Sequence, residues 1–339
     1  MRDTQLDIYW ALLMMYIPCV IHVLYWLGDG KEPYISVMLV EMPLVFSLSG
    51  AAFSVSRSRR GLWPTFLNRA KRVVLPYYIY AAVLVGIGLI ASLLCLKTGF
   101  LRSFHLDITR YGWNDIMAIV LGRDIPQFPF IWHLWFIPPY LVLSCTFPLQ
   151  VKLMKKMNSW LYLAICLLLF WVVQAHTGIS LLRQVLCYNV FMVSGYLFYK
   201  KLNNRTVLLA GATALAIVLV GVLGFGVDFC PMQGHKFPPD WLFVIYNLFV
   251  LCFVALIVSR FTISNNWLFR IWSERGYNIY LYQSVVFAIV HVLRQQLYCD
   301  VASTLVRTML DAVMVLSLST GLSYLTYPVE RFIMNKLRF

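Results

Sequence analysis

Apolar residues run in stretches of about twenty, each long enough to cross roughly 30 Å of hydrocarbon as a helix. Ten such stretches are read, at 8–28, 35–56, 73–95, 133–151, 158–175, 184–200, 206–226, 241–260, 276–296 and 304–326. Short polar loops separate them. The longest, 96–132, carries Gly99, Gly112, Gly122, Pro126 and Pro129 and is expected to be a structured external or re-entrant segment. No internal repeat, low-complexity tract or soluble appendage stands out, so the expectation is one membrane domain over 1–339. The first stretch lacks a basic leader and a small-residue cleavage site, so it is expected to remain as a helix rather than be removed as a signal.

Composition agrees with lipid as solvent. The 339 residues are 61% hydrophobic and only 12% charged, with mean hydropathy +0.75, where soluble domains carry roughly 25% charged residues. The predicted fold class is therefore an all-α polytopic membrane protein of about ten transmembrane helices.

Charge fixes the expected orientation. There are 28 Lys and Arg against 14 Asp and Glu, a net charge of +14. Nineteen of the 28 fall at the termini or in the short loops after even-numbered spans, including Arg57, Arg59, Arg60, Arg69, Lys71 and Arg72 after span 2. The other nine are interspersed with acidic residues such as Asp29, Asp107, Asp228 and Asp240. Basic residues collect in cytoplasmic loops, so both termini are expected to be cytoplasmic. A nucleic-acid partner is not expected, because the basic residues are divided among short loops instead of forming one extended face.

The eight cysteines show neither a C-x-x-C pair nor metal-ligand spacing, and no metal is expected. Cys230 and Cys299 both fall in external loops; pairing between them is left open.

Ionisable groups within spans are disfavoured by roughly 3 kcal/mol each, which makes them candidates for function. Four qualify: His22, Glu41, His291 and Asp311, all placed by their spans in the outer third of the membrane. His22 is either a general base or a histidine bonded between helices. Glu41 orients His22, binds a hydroxyl or is a neutral structural carboxyl. His291 and Asp311 support packing or line a cavity. The segment 57–78 combines six basic residues with Trp63, Phe66, Tyr77 and Tyr78. Arginine forks suit phosphates and aromatic faces suit a base, so a nucleotide-bearing ligand fits; an anchor beside anionic lipid is the plain alternative.

Five stretches together resemble the integral-membrane acyltransferase family 3, whose members move acyl groups from acyl-CoA to sugars and related hydroxyl acceptors. They are LDIYWALLMMYIPCVIH at 6–22, MPLVFSLSG at 42–50, NRAKRVVLPYY at 68–78, HLWFIPPY at 133–140 and GYNIYLYQ at 276–283; KFPPDW at 236–241 is a weaker sixth. The resemblance implies that His22 is the essential histidine and that Asp7 is the family's Asp at the start of the first span. It matches Ser49 and Gly50 to a Ser-Gly closing the second span, and Arg69, Arg72 and Pro76 to the basic motif entering the third. His133 and Trp135 match a His-Leu-Trp at the mouth of the fourth.

On that resemblance the catalytic residues are His22 and Glu41. Arg69, Lys71 and Arg72 hold the donor, and Asp7, His133, Trp135 and Tyr280 hold the acceptor. The co-substrate is acyl-CoA, taken as acetyl-CoA. The other partners are a glycan or lipid-linked sugar acceptor, membrane lipid and, as one option, a second copy of the chain. The implied location is a bacterial cytoplasmic (inner) membrane. Three positions depart from the family pattern. Trp10 stands where a basic residue is usual, and the interval from Asp7 to His22 is one residue longer than usual. Ser47 replaces an aromatic, and Gln283 stands where a histidine is common. Two other readings follow from the same residues: a transporter or flippase of a polar solute, and an acyltransferase-like protein impaired by Trp10.

Overall fold

The computed structural model describes residues 3–28, 30–55, 62–93, 112–120, 132–199, 203–298 and 303–336. Most of the expected loop 96–132, the basic residues Arg57, Arg59 and Arg60, and Cys299 with its candidate pairing lie outside the described residues. Among the described residues all regular structure is helical. Lipid offers backbone groups no hydrogen-bond partners, so an apolar span satisfies them by coiling on itself.

The helices are α1 (Thr4–Trp26), α2 (Tyr34–Val55), α3 (Leu62–Leu93), α4 (Trp113–Val120), α5 (Ile137–Met154), α6 (Ser159–His176), α7 (Ser180–Phe198) and α8 (Asn204–Gly224). They continue with α9 (Met232–Lys236), α10 (Trp241–Val258), α11 (Trp267–Leu297), α12 (Thr304–Leu325) and α13 (Tyr327–Lys336). Eight of them are long and apolar enough to cross a membrane: α1, α2, α6, α7, α8, α10, α11 and α12. The expected spans at 73–95 and 133–151 are also helical, as α3 and α5, but are not among those eight. In α5 the apolar character is diluted by Pro138, Pro139, Pro148, Gln150 and Lys152. The helix α3 runs for 32 residues, more than the roughly 20 a crossing needs.

Helix starts follow side-chain chemistry. Asp3, Asn158, Asn203, Asp240 and Ser303 each cap the helix that follows them by accepting from its free amides. The helix α11 begins nine residues before the expected span at 276, through the turns WLFRIWSER, where Arg270, Ser273, Glu274 and Arg275 are mixed with apolar residues. There an i,i+4 pair between Arg270 and Glu274 decorates an exposed face. Hydropathy marks only the apolar part of such a helix.

The chain divides into two compact units, Met1–Trp63 with Val142–Glu274, and Pro64–Leu141 with Arg275–Phe339. The first unit centres on the crossing of α2 and α7. A Cβ added at Gly50 would sit 1.9 Å from the Met192 carbonyl oxygen, and one at Gly195 would sit 1.9 Å from that of Ser47. The two backbones therefore touch, which only glycine permits, and this is how membrane helices gain packing without a hydrophobic drive. Ser47 Oγ adds a bond across the crossing to the Phe191 carbonyl at 3.2 Å, and Phe46 stacks on Tyr188.

In the second unit α11 and α12 are tied at both ends. Arg275, buried, donates to the Ser323 carbonyl and to Glu330, and its guanidinium lies over Tyr327. At the far end Asp311 accepts from Tyr298 at 2.6 Å and from Arg294 at 3.5 Å.

Candidate functional site

In the first unit, α1 is interrupted by a π-turn at Ile17–Ile21, containing Pro18, and the amide of His22 donates to the Ile17 carbonyl five residues back. Proline cannot donate to the preceding turn, and a π-turn is the local way to take up an extra residue. This turn lies within the Asp7–His22 interval, where the resemblance implies one extra residue. The His22 side chain is 8% exposed. Asp7 lies half-buried in the first helical turn, where a carboxylate complements the amide ends, and Trp10 is half-buried one turn on.

Glu41 lies in a second polar focus of the same unit. The helix α2 is broken at Leu39 and Val40 and resumes at Glu41. Two carbonyls beside the break accept from tyrosines: Tyr16 of α1 donates to that of Met38, and Tyr246 of α10 to that of Val37 at 2.6 Å; the Met38 carbonyl also accepts from the Val40 amide at 2.8 Å. Glu41 is 1% exposed, and its Oε1 is paired with the ammonium of Lys236, itself only 5% exposed. Its other oxygen, Oε2, is buried with no hydrogen-bond partner. Lys236 ends the short helix α9, which is pinned by the Met232 amide donating to Ser36 Oγ at 2.8 Å. Ser36 Oγ in turn donates to Glu32. His235 bridges the Asp240 carboxylate and the Asp228 carbonyl, closing the loop before α10.

The Tyr16–Met38 bond ties α1 to α2, and the partner of Glu41 is Lys236.

The second unit gathers three of the expected acceptor-side residues at one place. His133 is fully buried in a single helical turn, Trp132–Leu134, and Trp135, half-buried, follows it. Tyr280 Oη donates to the His133 carbonyl at 2.7 Å, and the two rings meet edge to face with centroids 5.1 Å apart. Tyr80 closes the other side of the imidazole at 6.3 Å and shares a 2.7 Å hydrogen bond with Ser284. Gln283, at a position where the family often has histidine, is fully buried on the same helix. Of the donor-side residues, Lys71 and Arg72 are exposed on the first third of α3 and Arg69 lies on the same helix. Tyr78, also exposed, is less than two turns further on. Solvent-accessible cations beside an aromatic ring fit a ligand with phosphates and a flat base.

Asp311 and His291 stand apart from these foci. Asp311 belongs to the ion pair with Arg294, and His291 is exposed and bonded to Gln295 at 3.0 Å. Burial and the neighbouring Asp311 push the Tyr298 phenol up from its ordinary value, so it stays a donor to that carboxylate. Lys236 was not singled out from sequence as a site residue; its place in the KFPPDW motif was the available signal.

A family model described as an acyltransferase domain (Acyl_transf_3) matches residues 5–328, nearly the whole chain. No curated protein and no solved structure matches it. With its multiple apolar helices and a match running from α1 to the first residues of α13, the chain is a multi-pass membrane protein that belongs to acyltransferase family 3.

Proposed function

We propose that this acyltransferase moves an acyl group, taken as acetyl, from cytoplasmic acyl-CoA to a hydroxyl of a glycan or lipid-linked sugar at a bacterial cytoplasmic membrane. The observation that carries this reading is His22: a buried imidazole placed directly after a π-turn in a membrane helix, at the position of the family's essential histidine. His22 takes the proton of the acceptor hydroxyl as its oxygen attacks the thioester carbonyl. A C–O ester bond forms and the C–S bond breaks. The proton passes from His22 to the departing CoA thiolate, which leaves as the thiol. Arg69, Lys71 and Arg72 bind the donor's phosphates, and Asp7, His133, Trp135 and Tyr280 position the acceptor.

Trp10 removes one cation from the family pattern, so donor binding rests on the α3 residues. The test is incubation of the purified protein with radiolabelled acetyl-CoA and bacterial envelope extract. The expected result is base-labile label in the glycan or lipid-linked sugar fraction. Absence of both transfer and acetyl-CoA hydrolysis, with the protein folded, would reject the reading.

A further inference from the structure

Glu41 poses a problem that the reaction at His22 does not resolve. A buried acceptor without a partner is disfavoured by about 1–3 kcal/mol, more when it is charged, yet Glu41 Oε2 is left in that state while Oε1 is held by Lys236. Two carbonyls beside the break in α2 have tyrosine donors, and the amide of Met232 and the hydroxyl of Ser36 are both used; none of these hydrogen bonds reaches the buried Tyr188 hydroxyl, which also faces Glu41. Interrupted helices in membranes characteristically line binding sites, with their free ends and flanking side chains facing the ligand.

The charge balance narrows what would complete Oε2. Lys236 already neutralises Glu41, so a cation gains little, and the carboxylate repels an anion. A neutral hydroxyl donor fits. The ion pair of Glu41 is with Lys236, so the hydroxyl it would hold is taken as a second one, apart from the hydroxyl that reacts at His22. Binding at such a remote group supplies orientation at the reacting centre.

We propose that Lys236 is a positioning residue for acyl transfer: it holds Glu41 as a carboxylate with Oε2 open to accept a hydrogen bond from a non-reacting hydroxyl of the acceptor. This rests on the proposed acyl transfer to a polyhydroxyl acceptor and gives that acceptor a second recognition point. The groups facing Glu41 are Lys236 from α9, Tyr16 from α1 and Tyr188 from α7; Tyr246 from α10 lies next to Tyr16.

The experiment has two arms on the full-length protein. In the first, infrared spectra of wild type, Lys236→Met, Lys236→Arg and the Lys236→Met/Glu41→Gln double variant are compared at neutral pH. A carboxylic C=O band is expected in Lys236→Met alone. Its presence in wild type, or its absence from Lys236→Met, would overturn the proposal.

In the second arm, label transfer from acetyl-CoA to envelope extract is set beside acetyl-CoA hydrolysis by water. In the neutral double variant, which restores charge balance if folding is the only role, the ratio of transfer to hydrolysis is expected to fall at least tenfold; Lys236→Arg recovers most of that ratio. An unchanged ratio, whether from equal loss of both reactions or from no loss of either, would overturn it. If wild type neither transfers nor hydrolyses, the acyl-transfer reading fails and the positioning role with it, while the infrared arm still reports whether Lys236 sets the charge of Glu41.

Discussion

The two units each bury a carboxylate within a membrane helix, and they treat it differently. Asp311 in the second unit has both oxygens engaged, Oδ1 by the Tyr298 hydroxyl and Oδ2 by Arg294, at the junction of two helices. Glu41 in the first unit has one oxygen engaged by Lys236 and the other left open, at a break within a helix. A buried ion pair with every oxygen engaged fixes a helix pair, whereas one with an open acceptor keeps capacity for a ligand. Burial of charge alone does not distinguish structure from function; the state of the last oxygen does.

The largest effect that separates the units is steric. Gly195→Leu would drive a side chain into the Ser47 backbone, and more than about 3 kcal/mol of destabilisation is expected. A Cβ added at Gly321 in the second unit meets nothing within 4 Å, and Gly321→Leu should be tolerated. Size-exclusion profiles and melting temperatures of the two variants check this; equal behaviour would break the contrast. Next, Asp311→Ala leaves Arg294 without its carboxylate, at about 3–5 kcal/mol. A lower melting temperature is expected, with acetyl transfer per folded molecule unchanged. Loss of transfer in a fully stable Asp311→Ala protein would give Asp311 a functional part.

A smaller, ligand-specific effect is expected at the donor residues. Lys71→Ala and Arg72→Ala should each raise the KM for acetyl-CoA roughly tenfold, consistent with about 1.5 kcal/mol for a charged hydrogen bond. The difference from wild type should shrink at high salt, since exposed charges are screened. Titration of initial rates at two salt concentrations reads this directly. Smallest is Tyr280→Phe, which removes one hydrogen bond to the His133 carbonyl. About 1 kcal/mol is expected, seen as a transfer rate down by no more than about fivefold.

Much of the fold was legible because hydropathy and charge placement are local signals. The eight membrane-length helices fall on eight of the ten predicted stretches, and the remaining two stretches are helical. What escaped is what depends on distant partners or on backbone detail. The π-turn at Ile17–Ile21 leaves no trace in hydropathy, since it adds a residue without changing composition; only the long Asp7–His22 interval hinted at it. Ser47 looked like a departure from pattern and proves to be a hydrogen-bonding contact at a glycine crossing. Lys236 reads as one more basic loop residue, because Glu41 lies 195 positions away. The meeting of His133 with Tyr280 spans 147 positions and was suggested only through shared family motifs. The early part of α11 was missed because Arg270, Ser273, Glu274 and Arg275 interrupt its apolar residues, and the expected span starts after them.

The central claim is that His22, set by the π-turn of α1, performs the proton transfer. The most direct measurement is label transfer from acetyl-CoA to envelope extract by purified wild type and His22→Ala at matched folded concentration. General-base roles contribute about 10²–10⁴-fold, so the rate is expected to fall by at least about 100-fold, with melting temperature within a few degrees of wild type. A folded His22→Ala protein that transfers at the wild-type rate would contradict the account.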